Sequence, residues 1–341
     1  MAATTPPQKK KAVGKSIALV TILLAVAMAV AASGWVAYVL KPCRKVGVVE
    51  TRDTSRELIS PLLECGLDDQ FEGKKLTELK STLNRLVQTR SSSGPIDRVS
   101  VYFRDLNNGP WIGIGESETF SPASLLKVPV MMGILRKAEL EPGFLEQREV
   151  YQIFSPGAGE VLQDVYKPLL LVEGMEYSIL ELVEQMIAES DNNATRILAT
   201  ILGDDGMKAT YAELGLPVPD FDGATPYEMT AKQYASFFRI LFNASWLNRE
   251  HSELALNLLT RTRWSQGLRA GVPLPTKVAH KFGHRASMTS TSIQLHDCGI
   301  VYAPEKPYLI CVMISGRSLN AEADLLAEIS RETWRVVTTP D

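Results

Sequence analysis

The chain has 341 residues, of which 45% are apolar and 22% charged, and its formal net charge is -3. This length and composition are typical of a globular protein with ample material for a core. Seven of the 36 basic residues lie in the first 45 positions, which contain no acidic residue. The rest of the chain therefore contains 29 basic and 39 acidic residues. Because phosphate contacts need clustered cations, this acidic remainder argues against a nucleic-acid partner.

An uncharged segment near the N-terminus is long enough to cross a membrane. Residues 16–40 contain no charged side chain, and 25 helical residues exceed the thickness of the hydrocarbon core. Four lysines precede the segment and three basic residues follow it, which favours a cytoplasmic tail at 1–15 and a domain outside the cytoplasmic membrane. The segment is predicted as a signal-anchor. The alternative is a cleaved signal peptide, since small residues recur at Ala27, Ala29 and Ala31.

The next part of the chain changes from a stalk to regular elements. Residues 41–72 have mixed charge without a sustained period and are predicted to form the stalk, before a domain at 73–341. Leu76 to Val87 has the apolar spacing of a helix, and 99–103 alternates as a half-buried strand does. A second strand is expected at 111–115.

A serine and a lysine three residues apart follow these strands. On a helix this spacing places the Ser124 hydroxyl and the Lys127 amine on one face, close enough to share a proton. An unprotonated lysine can be the base that a serine nucleophile needs. Ser121 is predicted as the N-cap and Pro122 as the first helical residue, which would leave the Ser124 N–H at the positive end of the helix, suited to an oxyanion. The alternative is a capped amphipathic helix in which both residues are incidental.

Beyond this helix the hydrophobic spacing is mostly helical from about 135 to 270 and then returns to short strands. The strands are predicted at 277–282, 290–302 and 308–315, and a helix over 321–336 closes the chain. Strands at both ends with helices between imply one sheet assembled from distant pieces, with an inserted helical lobe. The predicted fold class is therefore α+β.

Two further motifs follow in the order of a known catalytic set. They are Ser-Asp-Asn at Ser190–Asn192 and Lys-Phe-Gly at Lys281–Gly283. With the segments at 177–195 and 297–302, they make the chain resemble the class A β-lactamase and penicillin-recognising serine hydrolase superfamily over roughly residues 74 to 338. The resemblance implies an antiparallel sheet flanked by terminal helices, beside an all-helical subdomain, with the site between them.

The resemblance also implies the catalytic roles. Ser124 would attack a carbonyl and form an acyl-enzyme, with Lys127 as base. Burial and the nearby Lys281 would lower the pKa of Lys127 and favour its neutral amine. Ser190 would relay a proton to the leaving nitrogen, and Lys281 would supply positive potential for a substrate carboxylate.

The other motif positions are assigned by the same resemblance to binding and to structure. Asn192 would hold the substrate amide and orient the base. The oxyanion hole would combine the N–H of Ser124 with that of His284, the residue after Gly283. Asp191 would tie down its own loop.

Two departures from the family pattern limit how far its activity carries over. The third motif has Phe282 where the family has a hydroxyl residue that binds the substrate carboxylate, and His284 or Arg285 are the nearby residues that could compensate. The connection after Asn192 is short and lacks the glutamate that activates the deacylating water. Asp220 and Asp222 are the nearest acids. The sequence therefore predicts intact acylation and slow deacylation.

Histidine and cysteine leave further alternatives. A histidine base at His280 or His284 is the rival of Lys127. Four cysteines show no metal-binding spacing, so neither a metal nor another cofactor is predicted. Cys43 and Cys65 could form a disulfide in the stalk. Cys298 and Cys311, on two predicted strands, could face each other as a disulfide or remain buried thiols.

Three classes of function remain open. The first is a membrane-anchored hydrolase acting on β-lactams, on peptidoglycan peptides as a D-alanyl carboxypeptidase does, or on another amide or ester. The second is a sensor that binds β-lactams or wall fragments without turnover. The third is a purely structural membrane protein. The sequence indicates no oligomeric state.

Overall fold

The computed structural model describes residues 51–52, 58–59, 62–64, 73–92, 94–107, 109–154, 166–220, 226–286 and 291–339. The predicted membrane segment at 16–40 lies outside these ranges, as do Cys43 and Cys65. Within the ranges, no helix has both the length and the apolar character that a membrane span requires. The signal-anchor therefore stays a prediction.

The described residues contain seven α-helices, two of which begin in capping boxes. The hydroxyl groups of Ser178 and Thr230 each accept a hydrogen bond from the backbone N–H three residues further on, at Glu181 and Gln233. The side chains of Glu181 and Gln233 in turn accept from the backbone N–H groups of Ser178 and Thr230. The helices are α1 (Gly73–Ser92), α2 (Lys127–Leu140), α3 (Ile179–Ala188), α4 (Asn192–Glu213), α5 (Ala231–Phe242), α6 (Arg249–Thr260) and α7 (Leu319–Thr338).

The same ranges contain eleven strands, five of which form one sheet. The strands are β1 (Thr51–Arg52), β2 (Leu62–Glu64), β3 (Ile96–Asp105), β4 (Trp111–Ile114), β5 (Thr119–Phe120), β6 (Arg148–Val150), β7 (Glu176–Ser178), β8 (Met229–Thr230), β9 (Val278–Ala286), β10 (Ile293–Val301) and β11 (Tyr308–Gly316). The central sheet has the order β4-β3-β11-β10-β9, and every neighbouring pair is antiparallel. The other strands pair as β1–β2, β5–β8 and β6–β7. The predicted α+β class with an antiparallel sheet is confirmed.

The central sheet is buried on both faces. Helix α5 packs on one face of the sheet, and this face belongs to the hydrophobic core that also contains α2, α3 and α6. Helices α1 and α7 pack on the other face. Every residue of β11 is buried. Burial of one aliphatic or aromatic side chain stabilises the folded state by about 1.5–3 kcal/mol relative to leaving it exposed. The many buried side chains of these two cores therefore hold sequence-distant strands in one sheet.

Cross-strand register connects the third motif to the middle of the sheet. Lys281 on β9 pairs with Cys298 on β10, which pairs with Cys311 on β11. Cys298 and Cys311 form a disulfide. Of the two alternatives for these cysteines, the structure has the bonded pair, and it lies directly beside Lys281 in the sheet.

Part of the predicted stalk contacts the catalytic domain. Leu58 and Ile59 are buried, and both of their N–H groups donate to the carboxylate of Glu253 on α6, at 2.9–3.0 Å. The Tyr302 hydroxyl donates to the Leu58 carbonyl over 2.8 Å. This segment is therefore held by both its backbone and its side chains.

Candidate active site

The turn that carries Ser124 differs from the predicted helix start. Ser124 lies in a 3-10 turn, Ala123–Leu126, and α2 begins only at Lys127. Pro122 stands at the cap position without a side-chain cap, so the prediction that Ser121 caps the helix was wrong. Ala123 has a φ of 49°, in the left-handed region, so the regular helical backbone begins only after it.

Ser121 is instead bonded to the sheet. Its N–H donates to Gln294 Oε1 over 3.1 Å, its hydroxyl accepts from Arg285 over 2.9 Å, and its carbonyl lies 3.0 Å from His296 Nε2. On the opposite side of the turn, the buried Tyr234 hydroxyl donates to the Leu125 carbonyl over 2.9 Å. The nucleophile turn is thus fixed from two sides.

The first pair of motif residues is in direct contact. Lys127 Nζ lies 2.8 Å from Ser124 Oγ and 2.7 Å from Asn192 Oδ1. Lys127 is only 3% exposed, so its amine contacts the serine in a water-poor environment. The geometry suits proton exchange between Ser124 and Lys127, with the Asn192 amide fixing the direction of the lysine.

The second pair comes from the other two motifs. Lys281 Nζ donates to Ser190 Oγ over 2.9 Å and to the Phe282 carbonyl over 3.0 Å. Burial, followed by the Lys127 ammonium, lowers the pKa of Lys281 well below its usual value, and Asp297 opposes the shift. Both pairs therefore lie close enough to interact electrostatically. Ser190 has a φ of 56°, a conformation that non-glycine residues seldom adopt.

Asp191 is a buried structural carboxylate. It caps α4 by accepting from the Asn193 N–H over 2.8 Å, and it accepts from the Tyr151 hydroxyl over 2.6 Å and from Gln185 over 3.2 Å. Burial and then Asp191 raise the pKa of Tyr151 above its usual value. Sequence reasoning missed Tyr151, because nothing in its own segment marks a partner 40 residues further on.

Strand β9 lies tightly against the nucleophile turn. A Cβ at Gly283 would come within 2.8 Å of the Pro122 carbonyl and 3.2 Å of the Leu125 nitrogen, so only glycine fits without displacing backbone. In the described part of the chain β9 is an edge strand of the central sheet, and His284 on it pairs with Leu295 on β10. The role of the His284 N–H in the oxyanion hole stays a prediction, and it is compatible with this placement.

The aromatic ring of the third motif is enclosed. Phe282 is 1% exposed, and its ring centroid lies 4.8 Å from that of Trp264 and 6.3 Å from that of Tyr166, which meets it edge-on. Lys281 Nζ lies 4.1 Å from the Phe282 ring centroid. The position where the resemblance leads us to expect a hydroxyl is therefore taken by an apolar group within an aromatic cluster.

A second buried carboxylate precedes the Ser-Asp-Asn motif. Glu189 accepts from the Tyr166 hydroxyl over 2.5 Å and from the Leu169 N–H over 3.0 Å, and it pairs with Arg263 at 3.0 Å. Burial and then Glu189 raise the pKa of Tyr166 to about 12. Sequence reasoning missed this group, although a carboxylate directly before the motif could have indicated it.

Of the two histidines considered as alternative bases, His280 does not face Lys281, and a role for His284 as a base stays a prediction. Adjacent strand residues face opposite sides of a sheet, so the His280 ring lies on the other face of β9 from Lys281. His280 Nδ1 is 2.9 Å from the Asp297 carboxylate, which also accepts from the Leu268 N–H over 2.8 Å. His280 is thus a buried structural residue.

The acids proposed for deacylation are only partly described. Asp220 is half-buried between α4 and β8, and Asp222 lies outside the described residues, so the role of either stays a prediction. In the described ranges, no group of three histidine, cysteine or acidic residues is arranged to hold a metal ion.

Comparisons with known proteins agree with this architecture. A family model described as the β-lactamase enzyme family matches residues 78–337. No curated protein sequence matches the chain. The solved structure of PBP-A is similar at 23% identity, over 76% of this chain and 96% of that one, with a TM-score of 0.59. The TLA-3 extended-spectrum β-lactamase is similar at 18% identity, over 77% and 99%, with a TM-score of 0.66. A β-lactamase from Sphaerobacter thermophilus is similar at 21% identity, over 75% and 96%, with a TM-score of 0.63.

Proposed function

We propose that this chain, which belongs to the β-lactamase enzyme family of serine hydrolases, forms an acyl-enzyme at Ser124 with a β-lactam or a related amide or ester. The observation that carries the proposal is a chain of contacts: Lys127 contacts both Ser124 and Asn192, and Lys281 contacts Ser190, so the three distant motifs meet at one place. A point mutant of the similar PBP-A is described as an acyl-enzyme complex with penicillin G.

Acylation uses the two serine–lysine pairs in turn. An unprotonated Lys127 takes the proton of Ser124 as the serine oxygen adds to the carbonyl carbon. The N–H groups of Ser124 and His284 hold the tetrahedral oxyanion, and loss of one such donor typically costs about 2.7–4 kcal/mol of transition-state stabilisation. Ser190 then gives its proton to the leaving group as the bond to the carbonyl carbon breaks, and Lys281 restores that proton.

Deacylation is the slower half of the proposed cycle. Water must add to the acyl carbon while a base takes its proton, and the family glutamate is missing from the sequence. Without a positioned base this step is slower by about 10²–10⁴-fold. The shortened connection favours a carboxypeptidase-like or esterase activity, whereas the Ser-Asp-Asn form of the second motif favours a β-lactamase. A sensor that retains its acyl group is the second candidate function, since Phe282 and the missing glutamate both favour it.

We further propose that residues 16–40 anchor the enzyme in the cell membrane with its catalytic domain on the extracytoplasmic side. The uncharged length of the segment supports this placement. Carbonate-washed membranes from cells producing the full chain should retain the protein. Release into the supernatant would contradict an anchor.

The function is tested by a hydrolysis panel that compares the wild type with Ser124→Ala. Turnover of nitrocefin identifies a β-lactamase, and release of D-alanine from a stem-peptide mimic identifies a carboxypeptidase. Intact-protein mass spectrometry after penicillin exposure separates an enzyme, with a transient adduct, from a sensor, with a persistent one. Equal activity of wild type and Ser124→Ala would show that the site is wrongly assigned.

A further inference from the structure

The immediate surroundings of Lys281 are occupied by other groups of the protein. An ammonium group has three N–H donors. At Lys281 one donates to Ser190 and one to the Phe282 carbonyl, and Nζ also lies over the Phe282 ring, 4.1 Å from its centroid. The residue has no exposed surface. A carboxylate would therefore have to displace the Phe282 ring or an existing hydrogen bond before it reached this cation.

The volume beside Lys281 is also filled by apolar groups. The Phe282 ring is enclosed by Trp264 and by the edge of Tyr166. Tyr166 is held in place by its hydrogen bond to Glu189. A carboxylate buried against these rings would lose its hydration without gaining a hydrogen bond, which is strongly unfavourable.

Nearby basic side chains are already engaged with other groups. Lys127 contacts Ser124 and Asn192, and Arg263 is paired with the Glu189 carboxylate. Arg285 is exposed and donates to an uncharged group, the Ser121 hydroxyl. It is the one side chain of this group that a carboxylate could recruit at little cost, which makes it the competitor to be tested.

We propose that this hydrolase prefers esters and amides whose leaving group is uncharged, and that Phe282 is the residue that determines this preference. The inference rests on the acyl-enzyme function proposed above and narrows its substrate class. In a β-lactam, a carboxylate stands beside the scissile nitrogen, so β-lactams become poor substrates. The lowered pKa of Lys281 supports the inference, because a lysine that loses its charge readily attracts a carboxylate less.

Two matched substrates isolate the charge of the leaving group. Both substrates are esters of the same N-acylglycine. The leaving group is 3-hydroxybenzoate in one ester and 3-hydroxybenzamide in the other, so the two differ only in having a carboxylate or a carboxamide on the phenol. Phenol release and the formation of the acyl adduct are measured for both with the full-length protein, and each rate is corrected for spontaneous hydrolysis. For the wild type, we expect kcat/KM to be at least about tenfold higher for the carboxamide ester. A faster carboxylate ester would overturn the proposal.

Threonine and valine have nearly the same shape, so they provide a matched pair of variants at the third motif. Phe282→Thr and Phe282→Val open the same volume beside Lys281, but only threonine supplies a hydroxyl donor. We expect Phe282→Thr to shift the ratio of the two rates toward the carboxylate ester by at least about tenfold relative to Phe282→Val. Equal ratios in the two variants would overturn the role of Phe282. Thermal melting of both variants controls for folding.

Two further variants separate the possible failures. If the wild type prefers the carboxylate ester and Arg285→Gln removes that preference, Arg285 is the carboxylate ligand and the proposal is wrong. Ser124→Ala should lose turnover of both esters. If it retains turnover, the proposed function fails whatever the ratio of rates, so the two failures are distinguishable.

Discussion

At the scale of single residues, buried charges in this site are stable only because their partners are in place. Asp191 is fully buried and accepts hydrogen bonds from Tyr151, Gln185 and the Asn193 N–H. Removing one donor leaves part of the charge uncompensated. We expect Tyr151→Phe to lower the free energy of unfolding by about 1.5–3 kcal/mol, measured by urea denaturation. An unchanged midpoint and slope would contradict the structural role of this bond.

Lys127 is the residue whose loss should separate catalysis from stability. Without its amine, Ser124 has no adjacent base, so Lys127→Met should slow acylation by about 10²–10⁴-fold, followed as adduct mass against time. The same change removes a buried polar group, so the free energy of unfolding should stay equal or rise. Lys137→Met is the matched control, since Lys137 lies on the same helix and pairs with Glu141 at the surface. Similar acylation rates in the two variants would exclude Lys127 as the base.

At the scale of elements, helix α6 holds the segment before α1 by a single carboxylate. Glu253 accepts from two consecutive N–H groups, at Leu58 and Ile59. Glu253→Ala would leave both donors unpaired, and we expect hydrogen exchange at these two amides to accelerate by at least about tenfold, which corresponds to about 1.4 kcal/mol. Glu250→Ala, at an exposed position of the same helix, serves as control. Unchanged protection at Leu58 and Ile59 would show that the Tyr302 hydrogen bond and side-chain burial hold the segment without Glu253.

The sequence predicted which elements carry the motifs better than how those elements begin. Regular hydrophobic spacing marked α1, the closing helix and the strands β9 to β11 within a few residues. The turn at Ser124 was predicted wrongly because Ser121 and Pro122 fit the local rules for a helix start, whereas tertiary bonds from Gln294, Arg285 and His296 take up Ser121 instead. Local preference cannot reveal such partners, which lie more than 160 residues away.

At the scale of the whole molecule, strands at both ends of the chain predicted one sheet with an inserted helical lobe, and the family resemblance predicted that this sheet is antiparallel. The order of the sheet was not predictable from the residues alone, since β3 joins β11 across nearly the whole domain. The aromatic cluster around Phe282 was equally hidden: Tyr166 and Trp264 come from segments with no motif of their own. The motifs marked the groups that we propose to react, but the packing around those groups has to be seen in three dimensions.

Two buried groups give the whole fold opposing responses to pH. Burial and then the Asp97 carboxylate raise the pKa of Glu322 to about 8, from 4.5. Its contribution to stability is complete below pH 4.5 and is lost as the pH rises toward 8. Burial lowers the pKa of His296 from 6.5 to about 4. Its contribution is complete above pH 6.5 and is lost as the pH falls toward 4.

Between pH 6.5 and 8, Glu322 is the member of this pair that changes the stability of the fold, so this pH range provides a test. Between pH 6.5 and 8 the folded state holds a proton at Glu322 that the unfolded state has released, so Glu322 should lower the free energy of unfolding by about 1.4 kcal/mol per pH unit. Glu322→Gln removes the titrating group and should remove this decline in urea denaturation across the window. Asp324→Asn, at an exposed position of the same helix, should retain it. A decline of the same slope in Glu322→Gln and in the wild type would mean that Glu322 is ionised in the folded protein.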